Sequence, residues 1–402
     1  MKAGHIPKIL LLVQRFPPSY TGGVPNYYHN LMGNINNAEV HLLTQMSNAE
    51  IDSKCDQEIS KRGNCFVKRL SSFPDNMQLQ LSFKWLSSLM QMIRAQIRYI
   101  KENNIEIIVV GQVRMFLLLA AFIAGFITRK PYVLFFHGEE IPQIPMKSNG
   151  LLRWLYKRAE GYFCNSGFTA DRLRRFTKLK NISPFIVNPG VEDRFFEKPR
   201  NINSIIERLS IRGKKILYTI GRLDERKGHD MVIRALPAVI EKYPDILYLI
   251  GGKGPMLKKL EKLVADMSLQ AYVRFLGFVP DDEIVAYHYL GDIFIMPNRI
   301  LNNGDSEGFG IVFLEANAAG TPVIGGQEGG SVDAVIDGVT GLWVNPRNKN
   351  DIAEKIGFLL DNEEIKDEIG KAGRKRCWEK FRWPYLAARF DSALLVLCQK
   401  QE

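Results

Sequence analysis

Apolar runs of three to six residues return along this chain with helical stretches between them, and the pattern starts twice. In the first half the runs are residues 8–13 (KILLLV), 39–43, 65–70, 105–110 and 132–136, with a long helical stretch at 83–102. A further strand at 182–190 ends in a turn, and residues 191–210 read as a linker with a small helix. The rhythm then restarts with strands at 215–220 (KILYTI), 246–250, 273–276, 293–296 and 322–324, and a helix over 231–242. Strands that are apolar throughout, without alternating polar positions, belong to parallel sheets covered on both faces. Strand and helix in regular succession is the βαβ pattern of a doubly wound sheet. The chain is therefore expected to be α/β, with two Rossmann-like domains at residues 1–195 and 196–380. Its length of 402 residues suits two or three domains. The end of the chain reads as a helix pair broken at Pro384, and residues 381–402 are expected to fold back over the first domain. No internal sequence repeat accompanies the two halves; they share only the rhythm.

Several classes of protein are excluded. With 46% hydrophobic and 24% charged residues the composition is globular. Five scattered cysteines without a CxxC pair argue against a disulfide framework and a structural zinc site, and fit a reducing cytoplasm. The apolar run near the N-terminus is too short for a signal sequence, and residues 115–127 fall short of the ~20 residues a spanning helix needs. Charge is unevenly divided. Residues 1–190 hold 24 Lys or Arg against 12 Asp or Glu, whereas the rest of the chain holds 30 against 31. A basic first half implies an acidic partner, anionic lipid or nucleic acid, and no nucleic-acid-binding motif supports the second. Residues 151–180, where basic and aromatic side chains interleave, suit a membrane interface or an ordinary solvated helix face.

The chemistry concentrates in residues 302–320, NNGDSEGFGIVFLEANAAG. Glu307 and Glu315 stand eight residues apart around a Gly-Phe-Gly turn. If a helix begins near Gly310, Glu307 lies in the loop before it and Glu315 a turn and a half inside, at ~1.5 Å of rise per residue. Unpaired amides of residues 308–312 would then bind anions while carboxylates accept from sugar hydroxyls. Phosphate with hydroxyls points to a nucleotide sugar. Arg222 and Lys227, five residues apart after the second domain's first strand, have the charge a diphosphate needs as a bond to it breaks, or form a solvated turn beside Asp224 and Glu225. Gly22 and Gly23, before a helix near Pro25, allow close approach of a ligand to the backbone or serve a tight turn. His137, at the end of the strand YVLFF, points into the crevice where such folds bind ligands or merely caps its loop. GxGxxG, GxSxG, GxxxxGK[ST] and HExxH are all absent, which removes support for dinucleotide, serine-hydrolase, P-loop and zinc chemistry.

Taken together, Gly22-Gly23, His137-Gly138, Asn188-Pro189-Gly190-Val191, Gly221-Arg222 with Lys227-Gly228, and the E-x7-E from Glu307 to Glu315 resemble family 4 of the retaining glycosyltransferases, with the GT-B fold. The resemblance implies two domains facing each other across a cleft, the first binding the acceptor and the second the nucleotide sugar. It implies that Arg222 and Lys227 hold the donor diphosphate, Glu315 the ribose hydroxyls and Glu307 the donor sugar, with Gly308, Phe309, Gly310, Ile311 and Val312 around sugar and phosphate. Gly22 and Gly23 match a loop that closes on the donor, and His137 the histidine near the reacting sugar. Gly252 and Val279 match loops that contact the base. No metal or other cofactor is expected, because the family usually dispenses with one. The expected activity is transfer of a hexose, mannose from GDP-mannose favoured, to a lipid-linked or glycan acceptor at the cytoplasmic face of the membrane. The acceptor loops would be residues 50–80 and 138–150. A UDP-sugar donor, a nucleotide-sugar epimerase and a non-catalytic homologue are the alternatives.

Overall fold

The computed structural model describes residues 5–18, 20, 22–71, 73, 82–141, 150–178 and 182–399. Residues 72, 74–80 and 142–149 of the expected acceptor loops lie outside them. The chain divides into two compact units, Met1–Pro189 with Trp383–Glu402, and Gly190–Arg382.

The first unit is built on seven parallel strands, β1 (Lys8–Leu12), β2 (Glu39–Gln45), β3 (Cys65–Leu70), β4 (Ile107–Val110), β5 (Tyr132–Phe136), β6 (Gly161–Cys164) and β7 (Phe185–Ile186), in the order 3-2-1-4-5-6-7. Between them run α1 (Gly23–Met32), α2 (Ala49–Ser60), α3 (Phe83–Glu102), α4 (Met115–Thr128), α5 (Gly150–Lys157) and α6 (Gly167–Thr177). Both faces of the sheet are covered. Leu10 and Leu12 enter one apolar cluster, Ile9 and Leu11 the other, as side chains of one strand must. Among the described residues side-chain caps start three of these helices: Asn48 accepts from the amide of Ile51 for α2, Ser82 from that of Trp85 for α3 and Ser166 from that of Thr169 for α6. The apolar stretch at 115–127 is α4, a helix with Phe116, Leu117, Ala120, Ala121 and Ala124 buried. Among the described residues no helix is long and apolar enough to cross a membrane.

The second unit has six parallel strands, β8 (Lys215–Ile220), β9 (Ile246–Gly251), β10 (Val273–Gly277), β11 (Ile293–Met296), β12 (Val323–Gly326) and β13 (Gly341–Val344), in the order 10-9-8-11-12-13. Its helices are α7 (Ile202–Leu209), α8 (His229–Lys242), α9 (Leu257–Asp266), α10 (Asp281–Leu290), α11 (Ile311–Ala318), α12 (Ser331–Ala334), α13 (Lys349–Asp361) and α14 (Glu363–Lys380). Residues 190–195, grouped with the first half on sequence, pack here: Val191 and Phe195 are buried in this unit's core.

The last helix, α15 (Trp383–Gln399), belongs to the first unit. Pro384 stands in its first turn, where a missing amide costs nothing. Its apolar face, Trp383, Leu386, Phe390, Leu394 and Leu397, closes one side of the seven-stranded sheet. Each such side chain contributes about 1.5–3 kcal/mol on burial. Leu397 sits so close over Gly161 that a Cβ there would meet its methyl carbon at 2.5 Å.

In both sheets the strand order reverses beside the first strand, between β1 and β4 and between β8 and β11. Ligands of doubly wound folds bind outside the carboxyl ends of the strands at such reversals.

Candidate functional site

In the second unit the loops leaving β8 and β11 flank the reversal. After β8 the chain makes a short 3-10 turn, Glu225–Lys227, ended by Gly228 at φ 76°. A Cβ on Gly228 would come within 2.2 Å of the Pro297 carbonyl oxygen, so this glycine lets the β8 loop lie directly against the β11 loop. Lys227 is thereby turned inward. Its Nζ lies 3.0 Å from Glu307 Oε2 and 3.5 Å from Met296 Sδ, with the lysine side chain only 9% exposed. Burial pushes the Glu307 carboxyl up, but Lys227 and Arg226 outweigh burial and hold it below its ordinary value of 4.5. Glu307 is therefore ionised at neutral pH and acts as an acceptor only.

Arg226 is a charge of this site that no sequence pattern marks. Its guanidinium reaches Asp224 (3.1 Å), Asp305 (3.5 Å) and Glu307 (3.9 Å), tying the β8 loop to the loop before α11. Arg222, expected to converge with Lys227, does not: its side chain is 74% exposed and pairs with Asp224 at 3.2 Å in its own loop.

The Gly-Phe-Gly turn leads into α11 as expected. Gly310 stands before it at φ 89°, a left-handed conformation that suits glycine. The first-turn amides of Ile311 and Val312 have no partner within a helix. The Glu307 carbonyl accepts from the amide of Gly330, which ties this loop to the turn after β12. Phe309 is 2% exposed, in the core beside Phe381, so only its backbone is available to a ligand.

Glu315 lies one turn into α11, its Oε2 3.9 Å from Nε2 of the buried His288. Burial, helped by Glu192, pushes its carboxyl up to about 7, against the pull of Arg194 and Lys227. Arg194 is itself shared between Glu192 (3.1 Å) and Asp281 (2.7 Å). Gly252 and Val279 have packing reasons of their own. A Cβ on Gly252 would lie 1.8 Å from the Gly221 carbonyl oxygen, and Val279 covers Gly251.

In the first unit Gly22, at φ 132°, and Gly23 start α1, and a Cβ at either would meet nothing within 4 Å. His137 follows β5 and is 7% exposed. Its amide and that of Gly138 donate to Glu140 Oε2, at 2.9 and 3.0 Å. Burial drives the His137 ring down to about 3, so it is neutral, and pushes the Glu140 carboxyl up to about 7. Among the described residues no group of three His, Cys, Asp or Glu side chains is placed to hold a metal ion.

The family model for glycosyl transferases group 1 matches residues 201–376, and that for Glycosyltransferase Family 4 matches residues 21–195. The GDP-mannose-dependent alpha-(1-6)-phosphatidylinositol monomannoside mannosyltransferase of Mycobacterium tuberculosis is 30% identical over 394 residues, 96% of this chain and 98% of that protein. This chain belongs to the group 1 glycosyltransferases of family 4. The corresponding Mycolicibacterium smegmatis mannosyltransferase is 29% identical over 401 residues, again covering 96% and 98%. Among solved structures, HepE of Anabaena with UDP and glucose has a TM-score of 0.76 at 19% identity, covering 98% of this glycosyltransferase and all of HepE. The fold is GT-B.

Proposed function

We propose that the enzyme transfers a hexose, mannose from GDP-mannose, with retention of anomeric configuration to a lipid-linked or glycan acceptor. The observation that carries this is the buried Lys227–Glu307 pair at the strand reversal of the second unit. One N–H of the Lys227 ammonium faces Glu307, leaving others for an oxygen of the donor diphosphate. As the bond from the sugar carbon to that oxygen breaks, negative charge grows on the phosphate. Lys227 and the α11 amides stabilise it, with Arg222 swinging in from solvent. Glu307, held ionised, accepts from a sugar hydroxyl and orients the ring. Glu315 accepts from the ribose, His137 meets the reacting sugar, and Gly22 and Gly23 form the loop that closes on the donor. No metal takes part in this scheme. The acceptor hydroxyl attacks on the face the phosphate leaves, and the departing phosphate oxygen takes its proton.

The choice of GDP-mannose is supported by the GDP-mannose-dependent relatives that match over nearly full length. Thermal shift tests it: GDP-mannose should raise the melting temperature well above the effect of UDP-glucose at equal concentration. The opposite ranking makes the enzyme a UDP-sugar user. NMR of the product's anomeric proton tests retention.

A second element is contact with an anionic membrane at the inner leaflet. It is supported by the basic first half and by apolar side chains exposed on adjoining helices, Phe83 and Met90 on α3, Phe126 and Ile127 on α4, and Trp154 on α5. Failure to float with anionic liposomes at low salt would remove this element.

A further inference from the structure

His137 is held through its amide, its carbonyl and its ring. Its amide donates to Glu140, its carbonyl oxygen accepts from the Asn165 side chain at 3.0 Å, and its Nε2 lies 2.8 Å from the Tyr28 hydroxyl. The ring stacks on Phe135, centroids 4.8 Å and planes 3° apart, with Tyr27 and Tyr28 edge-on. Among the described residues the ring bonds the Tyr28 hydroxyl through Nε2 and also reaches the Gly111 carbonyl oxygen, which can only accept.

The Tyr28 hydroxyl decides which ring nitrogen carries the proton. It has one hydrogen, and the Gly111 carbonyl oxygen, 2.5 Å away, can only accept. Tyr28 therefore donates to Gly111, and its own oxygen accepts from His137, which places the proton on Nε2. Burial keeps the phenol protonated by raising it well above its ordinary value of 10. The three residues meet where the sheet order reverses: Tyr28 on α1 after β1, Gly111 at the end of β4, His137 at the end of β5.

We propose that Tyr28 is a positioning residue, which locks His137 in the Nε2–H tautomer and so presents Nδ1 as a hydrogen-bond acceptor to a sugar hydroxyl. This rests on the reading that His137 meets the sugar being transferred. No proton moves; the ring orients one hydroxyl by accepting its hydrogen, whereas the other tautomer would offer an N–H and turn that hydroxyl round to accept.

Nitrogen-15 NMR of histidine-labelled enzyme, with His137→Ala to assign the signals, reads the tautomer directly. The wild type should have Nε2 protonated and Nδ1 bare from pH 6 to 8, and Tyr28→Phe should populate the other tautomer. With GDP-mannose as donor, Tyr28→Phe should lower kcat/KM for GDP release about tenfold, the effect of one hydrogen bond, with melting temperature little changed. A wild-type ring protonated on Nδ1, or an unchanged kcat/KM in Tyr28→Phe when His137→Ala is impaired, overturns the positioning role. A fully active His137→Ala overturns instead the reading of His137 on which it rests, whatever the tautomer.

Discussion

Lys227 Nζ and Glu307 Oε2 lie 3.0 Å apart, on loops from the two strands that flank the strand reversal of the second unit. Each makes the other's burial tolerable, since an unpaired buried charge costs several kcal/mol. Glu307→Gln leaves Lys227 beside a neutral amide and should lower unfolding stability by about 1–3 kcal/mol in denaturant titration. The pH profile of turnover should keep its shape, because a carboxylate held ionised transfers no proton.

Arg222 is exposed and contributes little to the folded state, so Arg222→Ala should melt close to the wild type. Turnover should nevertheless fall by roughly 10²- to 10³-fold if the side chain stabilises the leaving diphosphate. Steady-state kinetics beside a thermal melt separates the two effects.

Glu315 has its carboxyl raised to about 7, so in the free enzyme it loses its charge as pH falls through that value. A protonated carboxyl is a poorer acceptor for ribose hydroxyls. Between pH 8 and 6 its ionised fraction drops from about 0.9 to about 0.1, and donor KM should rise by up to roughly tenfold. In Glu315→Gln the KM should be high and flat across that range, with kcat changed less.

The rhythm of the sequence carried most of the fold, because parallel strands buried on both faces leave continuous apolar runs. It did not reveal β6 and β13, which both start with glycine, a residue with no side chain to mark the beginning of an apolar run. Within the site, Glu307 and Glu315 were legible because a turn and a helix fix their spacing locally. The spacing of Arg222 and Lys227 suggests a converging pair, yet the 3-10 turn at Glu225–Lys227 turns the lysine inward and leaves the arginine in solvent. Arg226 reaches the Glu307 loop through that same turn. The groups that set the Glu315 carboxyl, Glu192 and Arg194, lie more than a hundred residues away in the chain, beyond any local pattern.

Glu140 folds with its carboxyl raised from 4.5 to about 7, burial being the main cause. A raised folded value means that the protonated form is favoured in the native state. Its contribution to stability is complete below pH 4.5 and is lost as pH rises through 7. Glu140→Gln keeps an oxygen for the amides of His137 and Gly138 and is neutral throughout. Its stability relative to wild type should therefore grow by about 1–3 kcal/mol from pH 5 to pH 8, as read by urea unfolding.

The rate of GDP release from GDP-mannose by wild type and Lys227→Ala, both at saturating donor, tests the proposed donor site most directly. If Lys227 neutralises the departing diphosphate, the variant should turn over roughly 10²- to 10³-fold more slowly while still binding donor. A Lys227→Ala enzyme as fast as the wild type would contradict it.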